Sequence, residues 1–193
     1  FDALFTTTTE YKKLSHALSG KGACALFGLP ASGRAQVYAA LCRQLDKPLC
    51  IVTPGEAEAT RFAADLNTLG IPAAVFPARD YVLRPIEGTA REYEYRRLAV
   101  LGELVGGRLR AVAVPAEALT QFTTPKEDFC ANTRTLHAGD TLLRDDLLAA
   151  LFGAGYTRRA QVDGPGQFSV RGDIVDIFAP DQKMPVRIEF WGD

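Results

Sequence analysis

The chain has 193 residues, 47% hydrophobic and 23% charged, with a formal net charge of −1. This mix excludes global disorder and fits one large domain or two modest ones. The charge balance disfavours a surface that grips nucleic acid through its phosphates, and no apolar run approaches the ~20 residues that span a bilayer.

From the N-terminus, residues 10–19 (EYKKLSHALS) read as a short amphipathic helix closed by Gly20. Ala23–Phe27 (ACALF) is a continuous apolar run and reads as the first strand. A Gly/Pro/Ser loop follows, then a helical pattern from Gly33 to Leu45. Leu49–Val52 predicts a strand, Glu56–Leu69 a helix stopped by Gly70, and Ala73–Phe76 a third strand. Residues 77–88 form a loop rich in Pro and charge, Thr89–Val105 is the longest helical stretch, and Arg110–Val114 is a fourth strand. Short apolar runs alternating with helices define an α/β layer with a mainly parallel sheet.

The pattern changes near residue 122, where Thr123-Thr124-Pro125 reads as a linker. Arg144–Leu151 is a helix, followed by short strands at Arg159–Val162, Gln167–Arg171, Ile174–Phe178 and Val186–Trp191. This is a small α+β module with antiparallel strands. The sequence thus divides into an α/β domain over 1–121 and a second module over 122–193. The first carries 14 basic and 12 acidic side chains, net +2; the second carries 8 and 11, net −3.

The chain starts at Phe1 without a signal-peptide pattern and stops at Asp193, and both ends read as cuts in something longer. None of Cys24, Cys42, Cys50 and Cys130 forms a C-x-x-C pair. Cys24 and Cys50 lie in apolar runs and are expected as buried, reduced core thiols, which points to a cytosolic protein.

Gly28-Leu-Pro-Ala-Ser-Gly33-Arg34-Ala35 follows the first apolar run. Both glycines stand at the spacing of a phosphate-binding loop, G-x-x-x-x-G-K-[ST], between a strand and a helix. The two working positions differ. Arg34 replaces the Lys that reaches the β/γ-phosphates, and Ala35 replaces the hydroxyl that ligates Mg²⁺. The reading is a nucleotide-binding fold that has lost its nucleotide, with no cofactor. His16 and His137 lie near no Cys pair, so no zinc site is expected. Ser32 lacks the G-x-S-x-G elbow of a hydrolase. Arg171-Gly172-Asp173 reads as a turn between two strands.

Residues 166–180 (GQFSVRGDIVDIFAP) followed by 185–193 (PVRIEFWGD) are highly distinctive. They resemble the second domain of the excision-repair subunit UvrB and the matching domain of bacterial transcription-repair coupling factors. Residues 110–119 (RAVAVPAEAL), and Phe76-Pro77 with Asp80-Tyr81, resemble the segments that precede that domain. Two departures favour the coupling-factor family over UvrB. One is the Arg34-Ala35 pair. The other is the ten residues between Tyr81 and Glu92, too few for the long β-hairpin that UvrB inserts into damaged DNA. The chain is identified on this basis as a member of the N-terminal, UvrB-like region of that family.

The resemblance implies a bacterial cytoplasmic, non-catalytic adaptor. Its second domain would dock onto UvrA, imitate UvrB and bring the repair machinery to a stalled RNA polymerase. The motor, the polymerase-binding domain and the masking C-terminal domain of such a protein would lie elsewhere in its chain. A UvrB-type ATPase and a nucleic-acid-binding module are the competing readings.

Strand alternation gives an independent view of the docking face. Val186, Ile188 and Phe190 form one face of the last strand; Arg187, Glu189 and Trp191 form the other. Phe168 and Val170 point inward while Gln167, Ser169 and Arg171 point outward. The outer face therefore carries two arginines and the chain's only Trp, residue types enriched at binding hot spots. The resemblance places Arg171, Arg187 and Trp191 on the UvrA-contacting surface. The alternative is that Arg187 pairs with Asp176 or Glu189 and that Trp191 folds back on its own domain. Arg158-Arg159 is a weaker candidate for extending the patch, and Arg96-Arg97 reads as a solvated helix face with a Glu92–Arg96 pair.

Overall fold

Thr8 caps the first helix, α1 (Thr9–Ser19), its side chain accepting a hydrogen bond from the Tyr11 N–H at 3.3 Å. Tyr11 and Ser15, four residues apart, turn inward, and the Tyr11 hydroxyl donates to Gln44 at 2.9 Å. The computed structural model describes residues 6–20, 22–45, 47–79 and 90–191. Gln44 ends α2 (Ala31–Gln44), which leads to β1 (Leu49–Thr53) and α3 (Glu56–Thr68). Alanines and Phe62 and Leu66 at helical spacing give α3 its buried face, and Gly70 ends the turn at φ 76°.

After β2 (Ala73–Val75) and α4 (Ala90–Val105) comes β3 (Ala111–Pro115), with the one-turn helix α5 (Ala116–Leu119) behind it. The three strands pair in parallel in the order β1-β3-β2. All five residues of β3 are buried, as a central strand covered on both faces requires. Ile51, Ala111 and Ala113 pack against Ala59, Phe62 and Leu66. The Arg110 guanidinium donates to the carbonyls of Cys42 and Leu45 at 2.7 and 2.6 Å and so satisfies the end of α2.

The expected first strand, Ala23–Phe27, is not a strand. The segment has no regular structure and is exposed, and Phe27 is 87% accessible. An apolar run becomes a strand only when a neighbour takes its backbone groups. Here β1, β2 and β3 pair among themselves, and no described residue pairs with residues 23–27. Cys24 is therefore exposed rather than buried, and so is Cys50. Cys50 and Val52 lie on the side of β1 opposite Ile51 and Thr53, which are the buried pair. Cys42 alone is a buried thiol.

The remaining elements are α6 (Lys126–Ala131), α7 (Arg144–Gly153), β4 (Thr157–Arg158), β5 (Gln167–Arg171), β6 (Ile174–Phe178) and β7 (Val186–Glu189). They form a four-stranded sheet in the order β4-β5-β6-β7. β5, β6 and β7 are antiparallel, as expected, but β4 joins in parallel, so the sheet is mixed. The expected strand over 159–162 is instead two residues at 157–158. Leu147 and Leu151 of α7, four apart, bury one face of the sheet together with Phe168 and Val175. Phe152 meets the Phe168 ring edge-on at 5.1 Å.

By its internal contacts the chain divides into Phe1–Asp80 with Gly106–Gln121, and Tyr81–Val105 with Phe122–Asp193. Helix α4 belongs to the second group for visible reasons. Arg97 is not on a solvated face; it is buried, donating to the Phe122 carbonyl at 3.4 Å and the Thr123 hydroxyl at 2.7 Å. Gly102 comes close to Phe129 and Asp181. Gly166, at φ 74°, lies where a Cβ would come within 2.2 Å of the Tyr95 hydroxyl. Arg96 does remain exposed, over the Tyr93 ring at 5.8 Å from its centroid. The loop expected over 77–88 lies largely outside the described residues.

Candidate protein-docking site

The outer face of the second sheet is set by two glycine turns. Gly166, whose N–H donates to the Phe178 carbonyl at 2.8 Å, starts β5. Gly172-Asp173 connects β5 to β6 as a two-residue loop, because Arg171 pairs directly with Ile174. Gly172 at φ 61° supplies the positive dihedral that the first position of such a hairpin turn needs. The Arg171-Gly172-Asp173 run is thus a strand end and its turn. Arg144 at the start of α7 holds this turn, donating to the Gly172 carbonyl at 3.2 Å and the Asp173 carboxylate at 3.3 Å.

Register then fixes the face. Phe168 pairs with Ile177 and Val175 with Ile188 on the core side. On the outer side Ser169, Asp176 and Arg187 form one row across three strands. Arg171, Ile174 and Glu189 form the next row. The Phe190 N–H donates to the Asp173 carbonyl at 2.9 Å, which continues the pairing to the edge of Trp191. Trp191 lies just past β7 and is 88% exposed, so it does not fold back on its own module.

Arg187 is paired. Its Nε and Nη2 donate to the two oxygens of Asp176 at 2.7 and 3.1 Å. The Ser169 hydroxyl, itself buried, donates to the same carboxylate at 3.4 Å. The hydrogen bond from Arg187 holds the Asp176 carboxyl below the usual carboxylate range, against the opposing effect of its partial burial. Arg187 keeps more than half of its side chain exposed, 56% against 19% for Asp176. Arg171 behaves differently: its Nη2 donates to the Ala160 carbonyl at 3.1 Å, and no carboxylate pairs with it among the described residues.

In the first group of elements, Gly28 takes φ 82°, and α2 starts two residues ahead of Gly33. The Arg34 N–H is spent inside the helix on the Pro30 carbonyl at 3.1 Å. The Arg34 guanidinium reaches Glu58 on α3 at 3.5 Å, and Ala35 is only 3% exposed in the core. No cluster of three or more His, Cys, Asp or Glu that could hold a metal ion occurs among the described residues. His137 instead faces Asp140 at 3.7 Å.

Alternation placed Arg171, Arg187 and Trp191 on one face, and the register joins Arg171 and Arg187 there. Sequence reasoning missed the Arg144 brace, whose acceptors are 28 and 29 residues away. It also missed the Ser169 bond, although Ser169 and Asp176 share a face by alternation.

The chain resembles known proteins along most of its length. Residues 135–193 match the model of the UvrB interaction domain. The transcription-repair-coupling factor of Mycobacterium tuberculosis (strain CDC 1551 / Oshkosh) is 38% identical over 172 residues, covering 85% of this chain and 14% of that protein. The same-named protein of Bacillus subtilis (strain 168) is 30% identical over 168 residues, covering 86% and 14%. UvrABC system protein B of Chlorobium limicola (strain DSM 245 / NBRC 103803 / 6330) is 27% identical over 182 residues, covering 86% and 27%. The C-terminal module is a UvrB interaction domain. The chain is similar over 85–86% of its length to these two coupling factors, and it spans only 14% of the length of either.

Proposed function

We propose that this chain is an adaptor that binds UvrA through the outer face of its C-terminal sheet and so brings excision repair to a stalled RNA polymerase. The observation that carries the reading is the exposed Trp191, four residues after Arg187, in a segment matching the UvrB interaction domain. A large indole left in water costs hydrophobic free energy unless a partner covers it, and Trp and Arg are the side chains that most often anchor such contacts. Arg171 supplies a second cation on the same face. In this reading the adaptor imitates UvrB and carries no ATPase of its own. Arg34 committed to Glu58, and Ala35 in the core, support that. The setting is the bacterial cytoplasm, and no described helix is long and apolar enough to cross a membrane.

Competition tests the proposal. Labelled chain bound to UvrA is titrated with unlabelled UvrB. Displacement to baseline is expected; a ternary complex with no displacement contradicts the imitation of UvrB.

A further inference from the structure

The β4 edge of the same face carries a cation that the docking residues named above leave out. β4 is short, yet its ladder to β5 runs on: the Thr157 N–H donates to the Gly166 carbonyl at 2.9 Å and the Arg159 N–H to the Phe168 carbonyl at 2.8 Å. In this parallel register Thr157 lies beside Gln167 and Arg158 beside Phe168. Alternation then sends Arg159 to the outer side with Gln167, Ser169 and Arg171, and Arg158 to the other. Arg171 reaches the same edge, since its guanidinium bonds the carbonyl of Ala160, the residue after Arg159.

Neither Arg159 nor Arg171 forms a close ion pair among the described residues; Arg171 feels the charge of Asp176, but that carboxylate is hydrogen-bonded to Arg187. Two guanidinium groups, neither with a carboxylate of its own, thus share one edge of a module that is acidic overall, net −3 over 122–193. Like charges held together without a counter-charge are unfavourable in the free protein, and an opposite charge brought by a partner relieves this. With a strand spacing of about 4.8 Å, this edge stands about 14 Å from β7, beside which Trp191 lies.

Resting on the docking reading above, we infer that Arg159 is a further specificity contact, and that with Arg171 it takes an acidic side chain of the docked protein. The face is then polar in direction: a carboxylate meets the β4 edge and an apolar surface meets Trp191.

The test is calorimetry of the 193-residue chain with UvrA at two salt concentrations, using Arg159→Glu, Arg159→Ala, Arg158→Glu and Arg171→Ala. Arg159 is exposed, with no side-chain hydrogen bond among the described residues, so thermal midpoints should match wild type. The expected result is a loss of about tenfold or more for Arg159→Glu, about threefold to fivefold for Arg159→Ala, and under about twofold for Arg158→Glu. The affinity of Arg159→Ala should also fall less steeply with salt than that of wild type. Wild-type affinity in Arg159→Glu, with Arg171→Ala weakened, overturns the role of Arg159 and leaves the docking reading standing. Equal losses in Arg158→Glu and Arg159→Glu overturn the assignment of faces. No binding by the wild-type chain overturns both.

Discussion

Arg187 and Asp176 face each other across β6 and β7 and share two hydrogen bonds, at 2.7 and 3.1 Å. The pair fixes the plane of a guanidinium that is otherwise free to swing, so its remaining N–H groups point outward before any partner arrives. Pre-ordering of this kind lowers the entropy cost of association. Asp176→Asn should lower UvrA affinity about threefold to tenfold while leaving the circular dichroism spectrum unchanged. Unaltered affinity would show that Arg187 needs no such positioning.

The same pair predicts a pH dependence. Asp176 titrates lower in the folded chain than the ordinary value near 3.9. Its contribution to stability is therefore fully present above that ordinary value and is lost as pH falls through the lower, folded value. Urea unfolding of wild type and Asp176→Asn should differ by a constant amount from pH 7 down to about 5. The gap should close on further acidification. A gap that does not narrow as the pH falls below the ordinary carboxylate value would contradict the pairing.

Gly166 should tolerate no side chain. A methyl group there combines a positive φ with a collision against Tyr95. Gly166→Ala should cost about 2–4 kcal/mol, the sum of a backbone and a packing penalty. Adding Tyr95→Ala should recover the packing part only. Recovery of nothing would show that α4 does not pack against this turn.

Thiol chemistry reports on the first group of elements. Cys24, Cys50 and Cys130 are exposed, while Cys42 is buried and its thiol is pushed up, mainly by that burial. A chromogenic disulfide reagent should titrate Cys24 and Cys130 quickly, Cys50 more slowly because partial burial pushes its thiol up, and Cys42 only on unfolding. Protection of Cys24 would mean that residues 23–27 are covered.

These positions also show what the sequence could carry. Period-two alternation over 167–171 and 186–190 agrees with the strand register, because strand parity is a local property that pairing preserves. It does not set burial: Val186, read as core, is 48% exposed, and Ser169, read as outward, is buried. The apolar run 23–27 failed as a strand because hydrogen-bond partners are a non-local matter, and composition does not encode them. Cys50 lies in a true strand, but the exposed side of an edge strand cannot be told from its buried side by the four apolar letters of 49–52. Arg97 reads in the sequence as part of a solvated helix face, and its burial depends on acceptors 25 and 26 residues away.

The phosphate loop supplies a further test. Restoring the usual residues with Arg34→Lys and Ala35→Thr should not create an ATPase, and Thr in a site that is 3% exposed should cost about 1–3 kcal/mol. A micromolar isotherm for ATP with Mg²⁺ in the unmodified chain would instead revive a UvrB-type ATPase.

Docking of UvrA on one sheet face is what the proposed function requires. Its most direct measurement is the calorimetric affinity of the chain for UvrA, compared with that of an Arg171→Ala/Trp191→Ala double variant. The expected result is saturable one-site binding by the wild type and a loss of about a hundredfold or more in the variant, as two hot-spot truncations of ~2 kcal/mol each would give. Equal affinities in the two proteins would contradict it.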